Sequence, residues 1–218
     1  MARNAERDRQ EAERRKGQLI RAGFELFSRD GIESVSLNSV AERAGVGAST
    51  MYKYFQNKVN LVVAISGRIW GDLWASVLDQ KGTSELATMN PQQLFELYAD
   101  VIIGLYLERP QVLRFSANYK TYIQREHVAT EDLGEHLNPL EPIAELFFKS
   151  CKAAADQGCV RIEVSVGEMF SFEVLTMLTM AERYAQGIVW TESPDADHVK
   201  DLQRLKGMLS AWMKGEER

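Results

Sequence analysis

The chain has 218 residues, 45% hydrophobic and 26% charged, a composition that suits one large globular core or two smaller ones and excludes a disordered or fibrous chain. Its net charge of −5 is unevenly placed, since residues 1–60 hold eleven Lys or Arg against eight Asp or Glu, a balance of +3, and the remainder carries −8. That partition admits an anionic partner at the N-terminal end. The lack of an apolar run near the roughly 20 residues that span a bilayer, and of an apolar signal-peptide core, predicts a cytoplasmic protein with no membrane partner.

Residues 3–16 (RNAERDRQEAERRK) are charged throughout, and Glu11 stands three and four residues before Arg14 and Arg15, a spacing suited to pairing along a helix. The stretch predicts a helical or frayed extension of the first helix. Its arginines are candidates for phosphate or minor-groove contacts, whereas the near balance of acids and bases favours a solvated end. Leu19, Ile20, Phe24, Phe27 and Ile32 then supply an apolar stripe to pack beneath the next two helices.

Those two helices are written in SLNSVAERAGVGASTMYKYFQNKVNL, Ser36 to Leu61. Leu37, Val40, Ala41 and Ala44 recur on one helix face, and Gly45 supplies the residue that tolerates a left-handed backbone past the helix end. After Val46 and Gly47 a second pattern begins, with Met51 and Phe55 stacked four apart. Two short helices joined by a tight Gly-containing turn predict a helix-turn-helix, whose second helix enters the DNA major groove. At about 100° per residue, Met51 and Phe55 fix the buried direction. Ser49, Thr50 and Lys53 then point outward and Tyr52 and Tyr54 lie on the flanks. Such a face is small, hydroxylated and cationic, as groove and phosphate contacts require. An ordinary helical hairpin with a polar surface is the alternative reading of the same pattern.

Ala41, Ala44-Gly45-Val46, Tyr52, Tyr54-Phe55, Asn57-Lys58 and Leu61, preceded by Ile20, Ala22, Leu26-Phe27, Gly31 and Val35-Ser36, resemble the signature of the TetR family of bacterial transcriptional regulators. The resemblance covers roughly the first sixty residues, in register and without gaps. Gly47 stands where the family usually has a capping Ser, and Ser49 where it often has Gly. A Gly cap costs only a few tenths of a kcal/mol relative to Ser, so these departures bear on the operator sequence rather than on folding. Rotation and motif match together assign Ala48, Ser49, Thr50 and Tyr52 toward bases and Lys53, Tyr54 and Lys58 toward phosphates. Asn38, on the outer side of the preceding helix, is a further candidate. The resemblance implies an all-α chain, with a three-helix DNA-binding domain over residues 1–57 and a larger effector-binding and dimerisation domain over 58–218.

From Lys58 to about Lys81, Leu61, Val62, Ile65, Ile69, Leu73 and Val77 describe one long amphipathic helix, which in the resembled family is the lever between effector and DNA. Trp70 and Trp74 sit four apart on it, as cavity lining or as packing anchors. A loop is expected over 82–89. Asn90-Pro91, Asn138-Pro139 and Ser193-Pro194 each put a capping side chain before a Pro suited to the first helical position. They predict helices near 91–108, 139–157 and 194–214, with another from Pro110 to about His127 and one from Glu163 to Trp190. Residues 160–166 are β-branched enough for a strand but lack a partner.

Val166, Met169, Phe172, Leu175, Leu178 and their apolar neighbours cover nearly the whole circumference of the 163–190 helix, so both its sides require burial. One side is expected on its own subunit. The other, with the 139–157 helix, is expected against a twofold copy in a four-helix seam, which would present two recognition helices to a palindromic operator. A single chain enclosing that helix is the alternative.

Tyr98, Tyr106, Phe115, Tyr119, Tyr122, Phe147 and Phe170 are a supply of aromatics for an apolar effector pocket or for plain core. His127, His136 and His198 lack metal-ligand spacing, and Cys151 and Cys159 are expected to be reduced packing residues, a redox pair being the alternative. No hydrolase elbow, P-loop or dinucleotide fingerprint is present, so no cofactor and no enzyme activity is expected. The function expected is a homodimeric repressor released by a small-molecule effector. A TetR-shaped protein-binding adaptor and a helical enzyme or carrier are the competing readings.

Overall fold

The computed structural model describes residues 2–129, 141–156, 166–187 and 196–213. Every regular element among them is an α-helix, and they form two compact units, Met1–Gly71 with Asn118–Leu137 and Asp72–Ala117 with Asn138–Arg218. The units divide inside a helix, because the first part of that helix shares the core of the helix-turn-helix elements.

In the first unit α1 (Ala2–Asp30) is helical throughout its charged N-terminal stretch and stops where Gly31 takes φ +86. The polar Ser36 opens α2 (Leu37–Ala44) by accepting the Ser39 N–H at 3.1 Å, and Gly45 closes it at φ +68. Next come α3 (Ala48–Phe55) and the long α4 (Lys58–Lys81). Leu19, Phe27, Ile32, Val40, Met51, Leu61, Val62 and Ile65 are all fully buried and form the core of the unit. Gly23 sets the distance between α1 and α4, since a Cβ there would lie 2.8 Å from Ile65 Cδ1 and 3.3 Å from Leu61 Cδ2. The end of α7 (Pro110–Arg125) also belongs here, with Tyr122 buried and Arg125 Nη1 3.1 Å from Glu33 Oε1.

By length and composition α4 is a helix able to cross a membrane, contrary to the expectation that no such run exists. Arg68 and Asp72 interrupt the run, two charges that a spanning window tolerates. Half of that window is buried within the protein, which is how a core helix satisfies the same composition.

In the second unit Gly82, at φ +76, ends α4, and residues 83–88 are the short helix α5 (Thr83–Thr88) instead of the expected loop, anchored by buried Leu86. The Asn90-Pro91 signal opens α6 (Pro91–Glu108) with a complete capping box, Asn90 and Gln93 each bonding the other's backbone N–H at 2.9 Å. Asn138-Pro139, Gly158, Cys159, His136, Ser193-Pro194 and most of the 160–166 stretch lie outside the described residues. The helices expected after them are present as α8 (Glu141–Asp156), α9 (Val166–Gln186) and α10 (His198–Met213). Residues Phe95, Tyr98, Ile102, Leu113, Phe115, Phe147, Cys151, Met177 and Leu202 make the core of this unit.

Candidate nucleic-acid interface

The local sequence holds α3 in place from both ends. Gly45 N–H bonds the Glu42 carbonyl and Val46 N–H the Ala41 carbonyl, each at 3.0 Å, so the last carbonyls of α2 are satisfied and the chain turns at once into α3. Gly47 caps α3 in an extended conformation without a side-chain bond, and its carbonyl accepts from Thr50 at 2.9 Å and Met51 at 3.2 Å. The first N–H groups of a helix have no intrahelical acceptor, and here they sit at the tip of the element read as DNA-facing.

The buried direction is the one the sequence indicates, but Thr50 and Tyr52 exchange places, Thr50 being a flank and Tyr52 outward. Met51 is fully buried and Phe55 nearly so, while Ala48, Ser49 and Lys53 are exposed, Tyr52 is 48% exposed, and Thr50 and Tyr54 are half-buried flanks. Asn38 is exposed near the start of α2. Lys53 Nζ lies 5.9 Å from the Tyr54 ring centroid, a cation-over-ring contact that keeps the ammonium on the outer face.

Lys58 differs from the rest. Its ammonium donates to the Ile32 carbonyl at 3.0 Å and the Glu33 carbonyl at 3.2 Å, so two of its three N–H groups tie the start of α4 to the end of the α1 turn. These two bonds leave one N–H of the ammonium for another acceptor. Two ion pairs that sequence reasoning misses support the same frame. Arg43 of α2 donates to Glu25 of α1, with Nε at 3.0 Å from Oε2, and this hydrogen bond holds the Glu25 carboxyl below its ordinary range. Arg125 pairs with Glu33. Both span more than a helix turn of sequence, so no periodic pattern announces them.

Among the described residues no group of three or more His, Cys, Asp or Glu side chains could hold a metal ion. What the arrangement offers is a short helix with a hydroxyl-bearing, cationic outer face, braced by two tyrosines and seated on a helical core.

These features define an all-helical chain with an N-terminal helix-turn-helix. Residues 19–65 match the family model described as bacterial regulatory proteins, tetR family. This N-terminal segment is therefore of the TetR type. The HTH-type transcriptional repressor KstR of Mycolicibacterium smegmatis is 45% identical over 56 residues, and the KstR of Mycobacterium tuberculosis 43% over the same length. The match covers 26% of this chain and about a quarter of each relative, 27% and 25%. The fold extends further. The fatty acid degradation regulator FadR of Bacillus halodurans superposes at a TM-score of 0.64 and 13% identity over 93% of this chain and 96% of its own. Thermus thermophilus FadR, a TetR-family repressor solved in complex with lauroyl-CoA, superposes at 0.55 and 19% identity over 93% of this chain and 96% of its own.

Proposed function

We propose that the protein is a sequence-specific DNA-binding transcriptional regulator, acting in the cytoplasm as a homodimeric repressor of a palindromic operator and released by a small molecule. The observation that carries this reading is the α3 face, where Ser49, Tyr52 and Lys53 stand outward, with Thr50 at its edge, from a helix whose other side is closed by Met51 and Phe55. Ala48, Ser49, Thr50 and Tyr52 face bases, with Asn38 at the edge, and Lys53, Tyr54 and the remaining Lys58 N–H take phosphates. KstR and FadR, the relatives in sequence and in fold, are transcriptional regulators, which supports a non-enzymatic role.

Dimerisation is supported by α8 and α9. Phe148 is 41% exposed on α8, and Phe172 and Leu175 are 55% and 54% exposed on α9, an apolar face suited to a second copy. Release has a starting point in a wholly apolar cleft of the second unit, about 30 Å³ between Trp74, Val77, Leu78, Leu86, Leu94 and Leu146, which an effector has to widen in order to enter. The lauroyl-CoA held by Thermus FadR is a precedent for an apolar effector on this fold. A ligand relieves repression if it binds better to the conformation whose recognition helices are wrongly spaced for successive major grooves.

Selection of bound duplexes from a random pool tests the reading. Recovery of an inverted repeat with half-sites about one helical turn apart is expected. A chain that enriches no sequence at low salt, or enriches single half-sites only, refutes it. The selected duplex then serves an operator-release assay for effectors.

A further inference from the structure

Glu173 on α9 is fully buried, and neither of its carboxyl oxygens has a hydrogen-bonding partner among the described residues. Helical phase puts it there, because Met169, Glu173, Met177 and Ala181 recur at four-residue spacing and the other three are core residues. The polar groups around it are neutral. Tyr98 of α6 donates its hydroxyl to the neighbouring Val174 carbonyl at 3.2 Å and is spent there. From α8 comes the buried Cys151 thiol, pushed up to about 12 by burial first and by Glu173 second. Burial raises Glu173 itself to about 8, so at neutral pH it is an acid offering one O–H and one carbonyl.

Buried polar groups in folded chains are nearly always paired, and the described residues supply this carboxyl with no partner. The same unit contains the apolar cleft, which Glu173 does not itself line, but α6 and α8, the helices of Tyr98 and Cys151, also carry cleft residues. Leu94 of the cleft is one turn from Tyr98, and Leu146 is adjacent to Phe147, one turn from Cys151.

We propose that Glu173 is the polar anchor of an effector site in the second unit, and that the effector is an apolar molecule whose uncharged carbonyl or hydroxyl pairs with this carboxyl. The inference rests on reading that unit as an effector domain and deepens it by naming the anchor and the ligand class. An anion meets no cation there, and a cation requires the acid to give up its proton in an apolar setting.

The test uses the full-length chain with 2-decanone as probe, decanoate and decylammonium as the anion and cation of equal length, calorimetric titration, and thermal unfolding. At pH 7 the ketone is expected to bind about tenfold or more tightly than either ion, and to weaken as pH rises through 8. Glu173→Gln keeps a donor and an acceptor, so it should retain ketone binding and lose the pH dependence. Glu173→Leu should bind about tenfold more weakly while its unliganded Tm equals or exceeds that of the wild type, which separates lost recognition from lost folding. Equal ketone affinity in Glu173→Leu, or tighter binding of decylammonium, overturns the anchor while leaving an effector site in place. No binding of any probe to the wild type overturns the anchor too, and the operator-release assay then decides the effector reading by itself.

Discussion

Lys53 and Lys58 bring the same charge to different settings, and the difference is measurable. Lys53 is exposed over the Tyr54 ring, so Lys53→Ala should weaken binding to all duplexes and reduce the salt slope by about one, leaving stability unchanged. Lys58 has two N–H groups on the Ile32 and Glu33 carbonyls, so Lys58→Ala should lower Tm as well as DNA affinity. Comparing salt titrations and melting curves of the two variants checks this pair. Ser36 is a purely local case. Its hydroxyl caps α2, and Ser36→Ala should cost about 1 kcal/mol in urea unfolding, with Thr restoring most of it. Glu173 gives the pH dependence. Its carboxyl is raised by burial from 4.5 to about 8, so across that interval the folded chain holds a proton that the unfolded chain has released. The stability from this group is complete below about 4.5 and is lost as pH rises through 8, with a slope of at most about 1.4 kcal/mol per pH unit. Urea midpoints of wild type and Glu173→Gln across the interval should converge in slope if the assignment is wrong.

At the scale of elements, the contact of α1 with α4 depends on the missing side chain of Gly23. Gly23→Val would drive a branched Cβ into Ile65 and Leu61 and should destabilise the first unit by about 1–3 kcal/mol, read by chemical unfolding. The Ser-Leu and Asn-Pro helix starts, the Gly31 and Gly45 stops and the alternation on α3 are readable in sequence because each is decided within a few residues. Residues 82–89 read as a loop because α5 is a single short stretch whose helicity depends on burying Leu86, and no periodicity can build up over six residues. The α9 helix shows both outcomes. Its apolar circumference is legible, but Glu173 on its inward side escapes notice. The spacing from Met169 and Met177 is the available signal.

At the scale of the molecule, the apolar face left on α9 bears on assembly. Replacing Phe172 and Leu175 together by Glu should turn a dimer into a monomer in sedimentation or light scattering while far-UV circular dichroism stays helical, and operator affinity should fall with it. An unchanged dimer would place the seam elsewhere. The division of the chain into units is also a property of this scale. α4 and α7 each run from one unit into the other, so both are continuous links between the two, although the sequence suggests only α4 for that role. Sequence was enough for the helical class, the position of α3 and which of its sides is buried, because periodicity and capping act between residues a turn apart. Folding in three dimensions was needed to establish that Lys58 secures backbone carbonyls, that Arg125 meets Glu33 across 92 positions, and that Glu173 lies enclosed without a partner among the described residues. Those facts depend on which distant segments come together, and distance in space has no period in sequence.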